Sequence, residues 1–109
     1  MLARFEKVYR IKYWRNKRGN EVDLILEPKT GITDQGKIAI EIKATQRPVA
    51  DDFLGLDAFS EEYACQATLL VCQIEQTQCF GRHRALPWQN LVSEIEALRI
   101  TASPPFLGK

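Results

Sequence analysis

Two short segments constrain this chain more than any other: Glu21–Glu27 and Ile38–Ala44 each alternate so strictly that every side chain's facing on a sheet is set. Folded about Ile32, they oppose Leu26 to Ile38, Leu24 to Ile40 and Val22 to Ile42. Ile25–Ala39, Asp23–Glu41 and Glu21–Lys43 interleave with these pairs. The first set makes an apolar face, while the second gathers Glu21, Asp23, Glu41 and Lys43 at one end of the other. A slip of one residue would scramble both faces while a shift of two would keep them, so the two strands agree with each other.

The remaining elements follow from periodicity and punctuation. Val8–Arg15 reads as a strand, Asn16–Asn20 as a turn, and Pro28–Lys37 as a loop marked by Pro28, Gly31 and Gly36. After Pro48, the carboxylates of Asp51 and Asp52 suit a helix start, and Phe53, Leu56, Phe59 and Tyr63 give that helix an apolar side. Ala67–Gln73 predicts a buried strand, Gln78–Arg82 a short one, and Gln89–Arg99 a helix with Leu91, Ile95 and Leu98 facing inward. The order β-β-β-α-β-β-α predicts an α/β fold. Its central mixed β-sheet is an antiparallel meander plus a crossover strand, flanked by helices. At 109 residues this is a single domain over 1–100, with 101–109 as a C-terminal tail.

Several function classes are excluded. No run approaches the about 18 apolar residues of a membrane-spanning helix, and the charged opening Met1–Lys7 is unlike a signal peptide. A cytoplasmic protein without membrane contact is the expectation. Cys65, Cys72 and Cys79 are odd in number, lack a Cys-x-x-Cys, and accompany a single histidine, which argues against a disulfide framework and a structural zinc site. Reduced, buried thiols are expected. The lone His83, between Arg82 and Arg84, is expected to be exposed; phosphate contact is the lesser alternative. Trp88 is expected to anchor the core, because a helix begins just after it.

The polar end of the hairpin carries the chemistry. Asp23 and Glu41 opposite each other repel, and either a proton or a cation relieves this. Hard oxygen donors suit Mg²⁺ or Mn²⁺. Lys43, on the same face, offers an ammonium to a phosphate. Two carboxylates and a lysine so placed make a minimal kit for hydrolysing a phosphodiester. A solvated strand face with a Glu21–Lys43 ion pair, worth less than about 1 kcal/mol, accounts for the same residues without chemistry. Residues 1–18 are strongly basic, and Arg10, Lys12, Arg15, Lys17 and Arg18 interleave with Tyr9, Tyr13 and Trp14, a composition suited to a phosphate backbone.

Asp23, a loop, then Glu41-Ile42-Lys43 resembles the PD-(D/E)XK signature of the restriction-endonuclease-like superfamily. Tyr13-Trp14-Arg15, Gly19-Asn20-Glu21-Val22-Asp23-Leu24, Ile40-Glu41-Ile42-Lys43, Leu54-Gly55-Leu56 with Phe59, and Leu86-Pro87-Trp88 extend the likeness. Together they are similar to a widespread prokaryotic family in which a nuclease-like domain of unknown function follows an AAA-type ATPase module. The resemblance implies a restriction-endonuclease-like fold and a metal-dependent nuclease acting on nucleic acid, DNA ahead of RNA. It implies Asp23 and Glu41 as metal ligands, Glu21 as a further ligand or a support to them, and Lys43 as the catalytic lysine. The sequence contains no phosphate-binding Gly-x-x-x-x-Gly-Lys-Ser/Thr loop, so the chain would be the detached nuclease-like part or a stand-alone relative. Two other classes stay open: a catalytically inactive accessory domain that binds nucleic acid or a partner, and an oligomerising domain that pairs as a homodimer through its first strand.

Overall fold

A computed structural model describes residues 8–29 and 36–101. The strands are β1 (Tyr9–Arg15), β2 (Glu21–Pro28), β3 (Lys37–Ile42), β4 (Cys65–Cys72), β5 (Gln78–Phe80) and β6 (His83–Pro87). The helices are α1 (Leu54–Glu62), entered through a 3-10 turn at Ala50–Phe53, and α2 (Leu91–Thr101), entered through another at Trp88–Asn90. The middle of the loop expected over Pro28–Lys37, residues 30–35, lies outside the described residues, as does all but the first residue of the 101–109 tail.

The six strands form one mixed sheet in the order β1-β2-β3-β4-β6-β5. β1, β2 and β3 run antiparallel as a meander, then α1 carries the chain across to β4, which lies parallel to β3. This is the expected architecture. Between β2 and β3 the observed pairs are Leu24–Ile40, Ile25–Ala39 and Leu26–Ile38, the register expected from folding the strands about Ile32 and one of those that alternation allows.

Each helix covers one face. On the α1 side lie Val22, Ile25, Ala39, Phe53, Leu56, Phe59, Leu70 and Ala85. On the α2 side lie Leu26, Ile38, Ile40, Leu69, Val71, Leu86 and Ile95, with Leu91 and Leu98 packed against them. Central strands covered on both faces lose the polar half of the alternation, which is why β4 reads as a continuous apolar run. Leu56, Leu69 and Leu70 are fully buried, each worth roughly 2 kcal/mol of hydrophobic stabilisation.

The end of the chain departs from expectation. One short strand was expected over Gln78–Arg82; instead β5 turns at Gly81, whose φ of +61° suits glycine, and returns as β6. β6 inserts between β5 and β4, parallel to β4, so β5 becomes the sheet edge. β6 is nearly invisible in sequence because its identity rests on its neighbours: Ala85 and Leu86 are each fully buried, on opposite faces.

Two side chains expected elsewhere are relocated by this hairpin. Trp88 does not anchor the core but stands 71% exposed, because the 3-10 turn after β6 points it outward. His83 is buried rather than exposed, stacked on Phe53 with ring centroids 5.1 Å apart. Its Nδ1 meets the Thr68 hydroxyl at 2.6 Å and its Nε2 meets Asp57 Oδ1 at 2.6 Å. Arg82 approaches the same Asp57 oxygen at 3.7 Å, and Arg84 pairs with Glu94 on α2. The Arg-His-Arg triplet is thus engaged in contacts within the chain, with His83 buried and both arginines exposed. Thr68→Val should strip His83 Nδ1 of the hydroxyl it meets on the neighbouring strand and cost about 1–3 kcal/mol. A urea midpoint that falls at unchanged slope would show it.

All three cysteines are free thiols: Cys72 is buried as expected, Cys65 half-buried and Cys79 exposed. Burial pushes the Cys65 and Cys72 thiols above their ordinary range, which makes them poor nucleophiles. Among the described residues no helix is long and apolar enough to cross a membrane.

Candidate metal centre

The polar end of the β2–β3 hairpin is built by an irregularity. Between the β1–β2 pairs Lys12–Ile25 and Trp14–Val22, β1 advances by two residues and β2 by three. The extra residue makes a bulge at Asp23–Leu24, and β2 changes facing across it. Val22 therefore joins Ile25 on the α1 side instead of extending the Leu24–Leu26 face, and the expected Val22–Ile42 apolar pair does not form. Ile42, without that partner, is exposed.

The bulge frees backbone groups that the two carboxylates then use. Asp23 N–H donates to Glu41 Oε1 at 3.1 Å, and Ile42 N–H donates to Asp23 Oδ2 at 2.8 Å. These crossed bonds end β3 at Ile42, short of the expected Ala44, because its amide is taken by a side chain. Lys43 Nζ lies 3.9 Å from Glu41 Oε2. Asp23, Glu41 and Lys43 are thus brought together, as alternation predicts.

Glu41 is only 8% exposed. Burial first, and then the adjoining Asp23 carboxylate, push its carboxyl up to about 7, while the Asp23 amide and Lys43 hold it back. Two acids packed so tightly need a proton or a cation between them. Each has one oxygen committed to an amide, which leaves Asp23 Oδ1 and Glu41 Oε2 as hard donors, a fit for Mg²⁺ or Mn²⁺. No group of three or more potential metal-binding side chains occurs among the described residues.

Glu21 lines the same cleft, but its carboxylate does not join them. With Val22 turned toward α1, its carboxylate goes instead to the Tyr13 hydroxyl, which donates to Glu21 Oε1 at 2.6 Å. That bond raises the Tyr13 hydroxyl's pKa. Glu21 contributes through its backbone: its carbonyl packs against Gly55 so closely that any Cβ there would overlap the oxygen. This contact seats the first turn of α1 over the site. The resulting cleft, of about 350 Å³, is walled by Asp23, Glu41, Lys43, Leu54, Gly55 and Asp51. The sequence marks Asp51 and Asp52 alike as helix-start residues, yet it is Asp52 that caps, accepting from Val49 N–H at 2.8 Å. Two adjacent acids look alike in sequence, and only the turn decides which one reaches the cleft.

The five basic residues divide. Arg15, Lys17 and Arg18 line a groove of about 1120 Å³ between the β1–β2 turn and α1, and carry no ion pair among the described residues. Lys12 is taken by Glu27 at 3.0 Å, with Lys37 at 3.7 Å from the same carboxylate. These cations, the bonded Lys12 first, hold the Glu27 carboxyl below its ordinary range. Arg10 is exposed on β1, opposite Glu27.

No curated protein and no solved structure matches the chain. The model of one protein family, described as a domain of unknown function (DUF4143), matches residues 1–91, a span that includes all six strands, α1 and the cleft. With five-sixths of its length matched by that model, the chain belongs to the DUF4143 family.

Proposed function

We propose that this domain is a metal-dependent nuclease of the PD-(D/E)XK type, with a restriction-endonuclease-like fold, that hydrolyses phosphodiesters of DNA. The observation that carries the reading is the buried Glu41 carboxylate, cross-bonded to Asp23 and beside Lys43 at one end of the hairpin. A buried carboxylate held against a second, half-buried one is destabilising unless something shares the charge, so its presence calls for a function.

Asp23 and Glu41 would hold Mg²⁺ or Mn²⁺. When bound, the metal supplies a water of lowered pKa and neutralises phosphate oxygens. The protein's own residues do the rest. The two backbone amides fix both carboxylates, so neither reorients when the proton between them leaves. The partly exposed Lys43 ammonium, held by a loose 3.9 Å ion pair with Glu41, can meet a phosphate oxygen and stabilise the charge that grows on it. The bulge and the Gly55 contact keep the cleft narrow on the β2 side.

Calorimetric titration with Mn²⁺ tests this. Wild type should bind and Asp23→Ala should not, whereas Lys43→Met should bind Mn²⁺ yet lose cleavage by about 10²–10³-fold. Mn²⁺ binding that survives Asp23→Ala would end the proposal.

The diversion of Glu21 to Tyr13 favours a second reading, an accessory domain that keeps the fold and the nucleic-acid contact without turnover. Under it, salt-sensitive DNA binding persists in Lys43→Ala and no metal elicits cleavage. β1 is a sheet edge, so a homodimer through that strand is a proposal compatible with either reading.

A further inference from the structure

The metal-centre cleft is not isolated. Asn20 and Leu54 line both the cleft and the large groove, so the two cavities form one track running from the carboxylates along the seam between the β1–β2 turn and α1. The walls of the groove carry opposite charge. Arg15, Lys17 and Arg18 stand on the turn side, while Glu61 and Glu62, exposed at the end of α1, stand on the helix side. Neither wall is neutralised by the other: these five residues form no ion pair among the described residues.

We propose that this groove binds single-stranded DNA, its phosphates along the turn wall and its bases toward Glu61 and Glu62, leading one phosphodiester into the cleft. The argument is one of charge geometry. A duplex presents phosphates along both edges of either of its grooves, so seating it here would press one phosphate row against the acidic wall. A single strand has a phosphate edge and a base edge, and the base edge carries exocyclic amino groups that carboxylates accept from. The two sides of such a strand match the two walls. Asp57 is already engaged by His83 and by Arg82, which lines the groove beside it, so this acid-base pair leaves Glu61 and Glu62 as the unpaired charges of the helix wall among the described residues. The orientation toward the cleft rests on the nuclease reading; the binding does not.

Metal-free binding separates the two. Fluorescence anisotropy in chelator is measured with a labelled mixed-sequence oligodeoxynucleotide, single-stranded and as its duplex. The single strand should bind at least about tenfold tighter than the duplex. Arg15→Ala/Lys17→Ala/Arg18→Ala, all on exposed positions, should reduce the slope of log K against log salt by about 2, since each phosphate contact on a single strand contributes about 0.7. Glu61→Gln/Glu62→Gln should narrow the gap between single strand and duplex, and should reduce the preference for oligo-dC over oligo-dT. Equal or tighter duplex binding overturns the proposal, as does an unchanged salt slope in the triple variant. No oligonucleotide binding at all overturns it too, and would turn the groove toward a polypeptide of mixed charge. None of these results bears on Asp23-dependent Mn²⁺ binding, which decides the nuclease reading alone.

Discussion

Glu41→Gln should weaken the proposed metal binding strongly and make the metal-free protein more stable at alkaline pH. The ordinary carboxyl value is 4.5 and the folded value about 7, so between them the folded chain holds a proton that the unfolded chain has released. The stabilisation from this proton is complete below pH 4.5 and is lost as pH rises through 7. Glutamine keeps the carbonyl that accepts from Asp23 N–H and replaces the proton by a permanent amide donor, so it never suffers the loss. The variant should therefore gain on the order of 2 kcal/mol over wild type at pH 8 and show a flatter stability profile from pH 5 to 8. It should also lose more than about a hundredfold in Mn²⁺ affinity, since it removes a ligand rather than an outer-shell partner. Urea unfolding across that pH range, paired with calorimetry, reads both effects. A wild-type stability that rises from pH 5 to 8 with no change in the variant would contradict the assigned environment of Glu41.

The largest loss of stability is expected from Gly55→Ala. The position is helical, where alanine ordinarily gains about 1 kcal/mol over glycine. Here the added Cβ would overlap the Glu21 carbonyl oxygen, a backbone atom that cannot swing aside as a flexible side chain could. Relief requires α1 to lift off β2 or the turn before β2 to shift, at a cost of about 3 kcal/mol. For a domain of this size that removes a large part of the total stability. Thermal unfolding should show a fall well beyond that of a control such as Ala58→Gly, which loses helix propensity and one half-buried methyl. Because Gly55 also walls the cleft, residual folded protein should bind Mn²⁺ more weakly.

Much of this architecture was legible without coordinates. The facing of β2 and β3 came from alternation, a property carried by each strand alone, and the observed pairs Leu24–Ile40, Ile25–Ala39 and Leu26–Ile38 match the fold about Ile32, one of the registers that alternation allows. The neighbourhood of Asp23, Glu41 and Lys43 followed in turn, because residues two apart on a strand share a face. The meander, the crossover helix and the inner stripe of α2 were readable for the same reason. By contrast, β6, His83 and Trp88 were misread. Each depends on what packs beside it rather than on its own periodicity, and a short strand covered on both sides leaves no periodic trace.

What the amino-acid order determined by itself was therefore everything with a period: which faces are apolar, which strands pair, and which acids and lysine meet. What only tertiary structure decided was where that period breaks. The bulge at Asp23 reverses Val22, sends the Glu21 carboxylate to Tyr13, and frees the amides that brace the site, all because β1 and β2 differ by one residue in length across it. The engagement of Asp57 with His83, and the choice of Asp51 over Asp52 to face the cleft, were likewise settled by contact between distant elements. Alternation is local and survives in a string of letters. Such contacts are long-range, and their energies exist only once the chain has closed on itself.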